Sequence, residues 1–222
     1  MIHAAFSHVR EWVFDLDNTL YDPAVRLFDQ IETRMVAFVM AELGVDASEA
    51  NRLRATYWKS HGTTLAGLMD VHGMAPERFL KEVHEIDFSV LSPAPRLASL
   101  ISNLPGRKIV YTNGTAPYAG NVLNARGLGS VFDAVYGVEH AGFRPKPEAQ
   151  AFEQVFALAG LRPELGAMFE DEPRNLEVPH QLGMQTVHVA PSRNPAAYIQ
   201  HHTDDLEGFL SQVSGGPSLS QV

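Results

Sequence analysis

The run Glu11-Trp12-Val13-Phe14-Asp15-Leu16-Asp17-Asn18-Thr19-Leu20-Tyr21 constrains this chain most. Its apolar start reads as a buried strand over about 11–16 that opens onto a polar loop. Side chains at i and i+2 of a strand point to one side, so Asp15 and Asp17 can act on the same reacting group. Clefts in open α/β sheets lie at the carboxyl ends of strands. Two neighbouring carboxylates repel, so they need a cation, or one of them holds a proton. Either arrangement is chemistry: a divalent metal site, or a nucleophile beside a general acid/base. A solvated acidic turn is the plainer alternative, and for Asp15 alone it would be the better one.

The segment after the first strand is helical. From Asp22-Pro23, read as an N-cap and first-turn proline, the residues Leu27, Phe28, Ile31, Met35, Phe38, Val39 and Leu43 recur at helical spacing up to the stop at Gly44. Further helices are expected over about 48–59, 63–71 and 76–86, with no strand before 92. After Ser92-Pro93 the pattern alternates. Strands are expected at 108–112, 134–138, 167–170 and 186–190. Helices are expected at 96–104, 117–126, 148–159, 174–182 and 204–213. Such alternation predicts an α/β fold with a Rossmann-like, doubly wound, mostly parallel sheet covered on both faces. The core would be 1–21 with 93–213, the helical insert 22–92, and 214–222 a frayed tail.

Composition narrows the function. A chain of 222 residues, 45% hydrophobic, can fill one sizeable core with a smaller appended domain. A net charge of −9 argues against a nucleic-acid polymer or an anionic membrane as partner. It leaves room for a small anionic substrate, because a local cation overrides the global field. With no cysteine there is no thiolate nucleophile and no cysteine zinc site. No signal peptide and no membrane-spanning window is visible, so a cytoplasmic protein is expected.

Polar residues gather where the expected strands end. Asp15 and Asp17 follow the first strand, Thr112-Asn113-Gly114 the second, and Glu170-Asp171 the fourth. Lys146 stands at the start of a helix, where a cation opposes the helix dipole, so an anion nearby is expected. Phosphoryl transfer needs this set. A carboxylate nucleophile and a phosphate dianion both require charge compensation, which a hard cation on oxygen ligands and Lys146 can supply. Thr112 and amides near Asn113 can donate to phosphoryl oxygens. Asp17 can protonate the leaving alkoxide and then activate water.

These four segments resemble the motifs of the haloacid dehalogenase superfamily of phosphatases. Asp15-Leu16-Asp17-Asn18-Thr19-Leu20 is similar to the nucleophile loop, Thr112-Asn113 to the second motif, Lys146-Pro147 to the third and Glu170-Asp171 to the fourth. The resemblance implies that Asp15 forms an aspartyl-phosphate and ligates Mg²⁺. It implies Asp17 as general acid/base with its backbone carbonyl on the metal, phosphate held by Thr112, Asn113 and Lys146, and Glu170 and Asp171 as metal ligands. The dehalogenase branch lacks the second aspartate, so Asp17 favours phosphate chemistry. The insert at 22–92 stands where this superfamily carries a helical cap.

Tyr57-Trp58-Lys59-Ser60-His61-Gly62-Thr63-Thr64-Leu65-Ala66-Gly67-Leu68 and Phe169-Glu170-Asp171-Glu172-Pro173-Arg174-Asn175-Leu176 further resemble the pyrimidine 5′-nucleotidase branch. That implies a pyrimidine nucleoside monophosphate as substrate, with Tyr57, His61, Thr63 and Thr64 near it. Competing readings are a phosphatase for phosphoglycolate or a sugar phosphate, a phosphomutase, and a non-catalytic phosphate-binding protein. Plainer roles stand beside these. Asn113 and Thr115 can be turn and cap residues, and Asn175 a loop brace. One of the adjacent Tyr57 and Trp58 is core packing. His201-His202 is read as a solvated loop.

Overall fold

The computed structural model describes residues 2–215. Of the expected tail only Ser214 and Gly215 fall within it; the rest lies outside the described residues. Strand β1 (Glu11–Phe14) is buried along its whole length. It sits in the middle of a six-stranded parallel sheet of order β3-β2-β1-β4-β5-β6. The others are β2 (Arg107–Tyr111), β3 (Ala134–Tyr136), β4 (Gly166–Glu170), β5 (Gln185–Val189) and β6 (His201–Thr203). The chain builds outward from β1 on one side, then returns and builds outward on the other. The order therefore reverses between β1 and β4, and the crevice beyond their carboxyl ends is where such sheets bind ligands.

Both faces of β1 are covered, which explains an unbroken apolar run rather than alternating polarity. Val13 packs with Ile109, Tyr111 and Met168 against Phe152, Val155 and Phe156 of α8 (Ala149–Ala159). Trp12 and Phe14 face the opposite side. There the Phe14 and Phe169 rings stack at 4.6 Å, and Phe169 meets Phe209 of α10 (Leu206–Val213).

Between β1 and α6 (Pro95–Ser102) lie four α-helices: α2 (Leu27–Leu43), α3 (Ala47–His61), α4 (Thr64–His72) and α5 (Pro76–Val83). No strand occurs there among the described residues. These helices pack on one another through Ile31, Phe38 and Val39 against Phe79, Leu80 and Val83. Gly67 on α4 lies directly under the Tyr57 ring; a Cβ there would come 2.2 Å from Tyr57 Cγ. The glycine permits the close α3–α4 approach.

Some elements differ from expectation. Asp22 does cap a proline turn, accepting from Ala24 N, but that turn is a short 3₁₀ segment, Pro23–Val25. Arg26 then takes a left-handed φ of 55°, and α2 starts at Leu27. A short helix α1 (Ile2–Phe6) precedes β1. The expected helix at 174–182 divides into a 3₁₀ turn, Pro173–Leu176, and α9 (Glu177–Gln181). His201-His202, expected as a solvated loop, is instead the edge strand β6. It pairs with β5, and His201 packs 4.9 Å from the Phe6 ring.

Candidate active site

Asp15 is the first residue beyond β1. Its N–H donates to Phe169 O at 2.9 Å, so the ladder with β4 fixes where the carboxylate leaves the sheet. The chain then turns at Asn18, whose left-handed φ of 58° suits an asparagine better than most residues. Asn18 Nδ2 reaches Asp171 Oδ2 at 3.4 Å, joining the loop after β1 to the acidic loop after β4.

Lys146 is buried to 1% exposure. It does not begin a helix: α8 starts at Ala149 with Glu148 as its N-cap. The anion beside this lysine is a pair of carboxylates and not a ligand at a helix start. Its amine donates to Asp15 Oδ1 at 2.7 Å, Glu170 Oε2 at 2.6 Å and Tyr111 O at 3.1 Å. Burial alone would depress its pKa, but Asp15 and Glu170 more than offset this, and it is held above its ordinary value. Asn113 brackets the backbone of the same residue, accepting from Lys146 N at 2.8 Å and donating to Lys146 O at 3.1 Å. The side chain of Asn113 thus places Lys146, with one of its two amide N–H donors used on Lys146 O.

One lysine does not balance three carboxylates. Asp15, Glu170 and Asp171 each bring an oxygen within 4.8 Å of the others. Burial, then repulsion from Asp15, raises the pKa of Glu170 and Asp171. A cluster of hard oxygen donors that otherwise retains protons is the donor chemistry that a small divalent cation such as Mg²⁺ fits.

Asp17 differs from Asp15 in its surroundings. Its Oδ1 accepts from the phenols of Tyr21, at 2.7 Å, and Tyr118, at 2.5 Å. Burial raises its pKa to about 6, helped by the charge of Asp15 and opposed by the two phenols. Tyr118 lies on α7 (Ala116–Ala125), and the His84 ring stacks on it at 4.3 Å and 12°. Neither tyrosine was singled out from the sequence. Tyr21 sits four residues from Asp17, but Tyr118 is 101 residues away. No local pattern links it to the loop.

Thr112 is buried at the end of β2, and its Oγ1 accepts from Gly114 N at 2.9 Å. The hydroxyl proton is left for another acceptor. Thr115 caps α7. Asn175 is buried in the turn after the acidic loop, as a brace would be.

The helical block meets the core at Gly62, where a Cβ would lie 3.2 Å from Pro145 Cγ and 3.4 Å from Lys146 O. Beside this contact is a cavity of about 760 Å³, walled by Lys59, His61 and Met69 from the helices and Arg144, Pro147 and Arg174 from the core. His61 therefore faces a cavity, with Asp70 Oδ2 3.3 Å from its Nε2. Thr63 caps α4, accepting from Ala66 N, and Thr64 is buried behind it. Tyr57, expected near substrate, is buried and is not among the residues that wall the cavity. Its hydroxyl lies 2.7 Å from His72 Nε2 and its ring is enclosed by α4. The neighbour Trp58 is the exposed one, and the Arg174 guanidinium sits 4.1 Å over its ring.

The family model for haloacid dehalogenase-like hydrolases matches residues 12–189. Phosphate metabolism protein 8 of Saccharomyces cerevisiae is 26% identical over 189 residues, covering 77% of this chain. The chain spans 58% of the length of that relative. The fold is shared with solved structures. One is the HAD-hydrolase candidate YfnB of Bacillus subtilis bound to magnesium (TM-score 0.63, 16% identity, 92% of this chain and 98% of that one). Another is a HAD phosphatase of Thermococcus onnurineus (0.62, 16%, 95% and 100%). A third is the L-2-haloacid dehalogenase of Xanthobacter autotrophicus (0.51, 18%, 84% and 79%). Strand order, strand-end carboxylates and the family match agree: this chain belongs to the haloacid dehalogenase-like hydrolases.

Proposed function

We propose that the chain is a Mg²⁺-dependent phosphomonoester hydrolase working through an aspartyl-phosphate on Asp15. The observation that carries this is the division of labour between two neighbouring carboxylates. Asp15 is bound to a charged, buried lysine, whereas Asp17 is held by two phenols with its pKa raised to about 6. A carboxyl whose pKa is raised toward neutral suits proton transfer, and a neighbouring carboxylate held by a cation suits attack.

Asp15, Glu170 and Asp171 would hold Mg²⁺, together with the backbone carbonyl of Asp17. When bound, the ion supplies positive charge that offsets the phosphate dianion and its carboxylate neighbours. Lys146 and Thr112 would hold phosphoryl oxygens, with Asn113 keeping Lys146 in place. An oxygen of Asp15 attacks phosphorus, the bond to the ester oxygen breaks, and the leaving alkoxide takes the proton of Asp17. Ionised Asp17 then takes a proton from water as the water oxygen attacks the aspartyl-phosphate. The Asp15–phosphorus bond breaks, and orthophosphate and both carboxyl groups are regenerated.

For substrate we propose a pyrimidine nucleoside 5′-monophosphate, with the helical block acting as a cap. The cavity of about 760 Å³ beside Gly62 falls in the size range of small-molecule sites; His61 and Pro147, the neighbour of Lys146, are on its wall, whereas Asp15, Asp17 and Lys146 are not. The orientation of Tyr57 removes one of four expected contacts. That favours, as second reading, a smaller phosphate ester such as phosphoglycolate or a sugar phosphate.

The test is phosphate release with Mg²⁺ from UMP, CMP, sugar phosphates and phosphoglycolate. Preferred turnover of UMP and CMP is the expected result. Turnover of another member keeps the mechanism and discards the nucleotide. Release from none overturns the reading.

A further inference from the structure

We infer that Tyr21 and Tyr118 are positioning residues that decide which oxygen of Asp17 carries the catalytic proton. The inference rests on the hydrolase activity proposed for this site. A carboxylate oxygen offers two lone-pair directions in its plane. Oδ1 of Asp17 already accepts two phenol hydrogen bonds, at 2.7 Å and 2.5 Å. A proton on Oδ1 would have to displace one of them or force its phenol to turn from donor to acceptor. The proton therefore resides on Oδ2, whose lone pairs these phenols leave free. Asp17 hands over that proton from one defined atom, and the same atom later receives the proton of the attacking water.

The two donors are held by separate elements, and their hydroxyls also meet each other. Tyr21 is 3% exposed and Tyr118 is 2% exposed. Tyr21 follows the nucleophile loop directly. Tyr118 lies in α7, between the N-cap Thr115 and the stacked ring of His84. His84 belongs to the helical block and its Nδ1 lies 3.3 Å from Thr115 Oγ1. The block thus backs one of the two phenols that orient Asp17. Any buried tyrosine needs an acceptor for its hydroxyl. Two phenols from separate elements converging on one oxygen, rather than one on each, is what makes the carboxyl asymmetric.

A leaving group that needs no proton separates this role from general support. The experiment measures leaving-group release in the first turnover by rapid quench, for Tyr21→Phe, Tyr118→Phe and the double variant, with Mg²⁺. The probes are p-nitrophenyl phosphate, whose phenolate departs unprotonated, and whichever alkyl ester among UMP, CMP, the sugar phosphates and phosphoglycolate the wild type turns over fastest. Each single change should slow alcohol release about tenfold, and the double change about a hundredfold, within the contribution of general acid catalysis. Release of p-nitrophenolate should change less than about twofold, with half-saturation for both esters unchanged. Equal losses on both esters, or no loss on the alkyl ester, overturn the inference while leaving the hydrolase reading standing. A wild type that releases neither leaving group overturns both.

Discussion

The Lys146 amine lies 2.7 Å from Asp15 Oδ1 and 2.6 Å from Glu170 Oε2, and none of the three side chains is more than slightly exposed. One cation thus joins two carboxylates delivered by adjacent strands. Removing one partner of a buried ion pair typically costs about 3–5 kcal/mol, because the other charge stays buried. Lys146→Ala should lower stability by about that amount in urea denaturation without metal. Added Mg²⁺ should recover part of the loss. No change in the denaturation midpoint would contradict the buried-pair account.

Asp15→Asn should abolish phosphate release and leave the fold intact by circular dichroism. It also removes one of the charges that raise the pKa of Glu170 and Asp171. Loss of the Lys146 partner and relief of this repulsion oppose each other, and Glu170 still pairs with Lys146, so without metal the variant should lose less stability than Lys146→Ala while losing all activity.

The metal-free protein should lose stability as pH rises on the neutral-to-alkaline side. The sign comes from proton counting: Glu170 and Asp171 have raised pKa values when folded, so the folded state binds more protons than the unfolded one, and stability falls with rising pH. Asp17 has the same sign between its ordinary 3.8 and about 6. His84, pushed down to about 4 by burial, has the opposite sign up to 6.5, so the clean window lies above that value. Mg²⁺ should stabilise more strongly at higher pH, since protons compete for its ligands. Denaturation midpoints across pH, with and without Mg²⁺, check both statements.

Tyr57→Phe should cost about 1 kcal/mol, the net worth of a typical hydrogen bond, here the one to His72. KM should not move, because neither Tyr57 nor His72 walls the cavity. Gly67→Ala should destabilise more, since its Cβ would collide with the Tyr57 ring. A KM increase in Tyr57→Phe would return this residue to the substrate.

Arg174→Ala should shift tryptophan emission to longer wavelength. The chain has two tryptophans; Trp12 is 1% exposed and Trp58 49%, with Arg174 covering a face of Trp58 alone. A spectrum identical to that of the wild type would show that the stacking does not persist in solution.

The strands of the core were legible because a parallel sheet buried on both faces writes itself as short apolar runs: Trp12-Val13-Phe14, Ile109-Val110-Tyr111, Ala167-Met168-Phe169. Their ends displayed Asp15, Thr112 and Glu170 for the same reason. β6 was not legible, because its three partly buried residues, His201-His202-Thr203, carry no apolar periodicity. Asn113 and Tyr57 were placed in the right neighbourhoods, but side-chain direction depends on packing. Asn113 turns to the Lys146 backbone and Tyr57 to the space above Gly67. Tyr118 reaches Asp17 only through tertiary structure.

The arrangement of strands also times the appearance of activity. Asp15 and Lys146 are 131 residues apart, and Glu170 stands on a strand formed later still. During synthesis Asp15 leaves the ribosome first and remains without Lys146 until that residue emerges, and without Glu170 until β4 docks beside β1. A chain in which β4 has not docked therefore holds Asp15 without the Glu170 and Asp171 carboxylates that complete the acidic cluster. In refolding, phosphate release should return with completion of the sheet and not with the earlier gain of helix, which makes catalysis a reporter of finished tertiary structure.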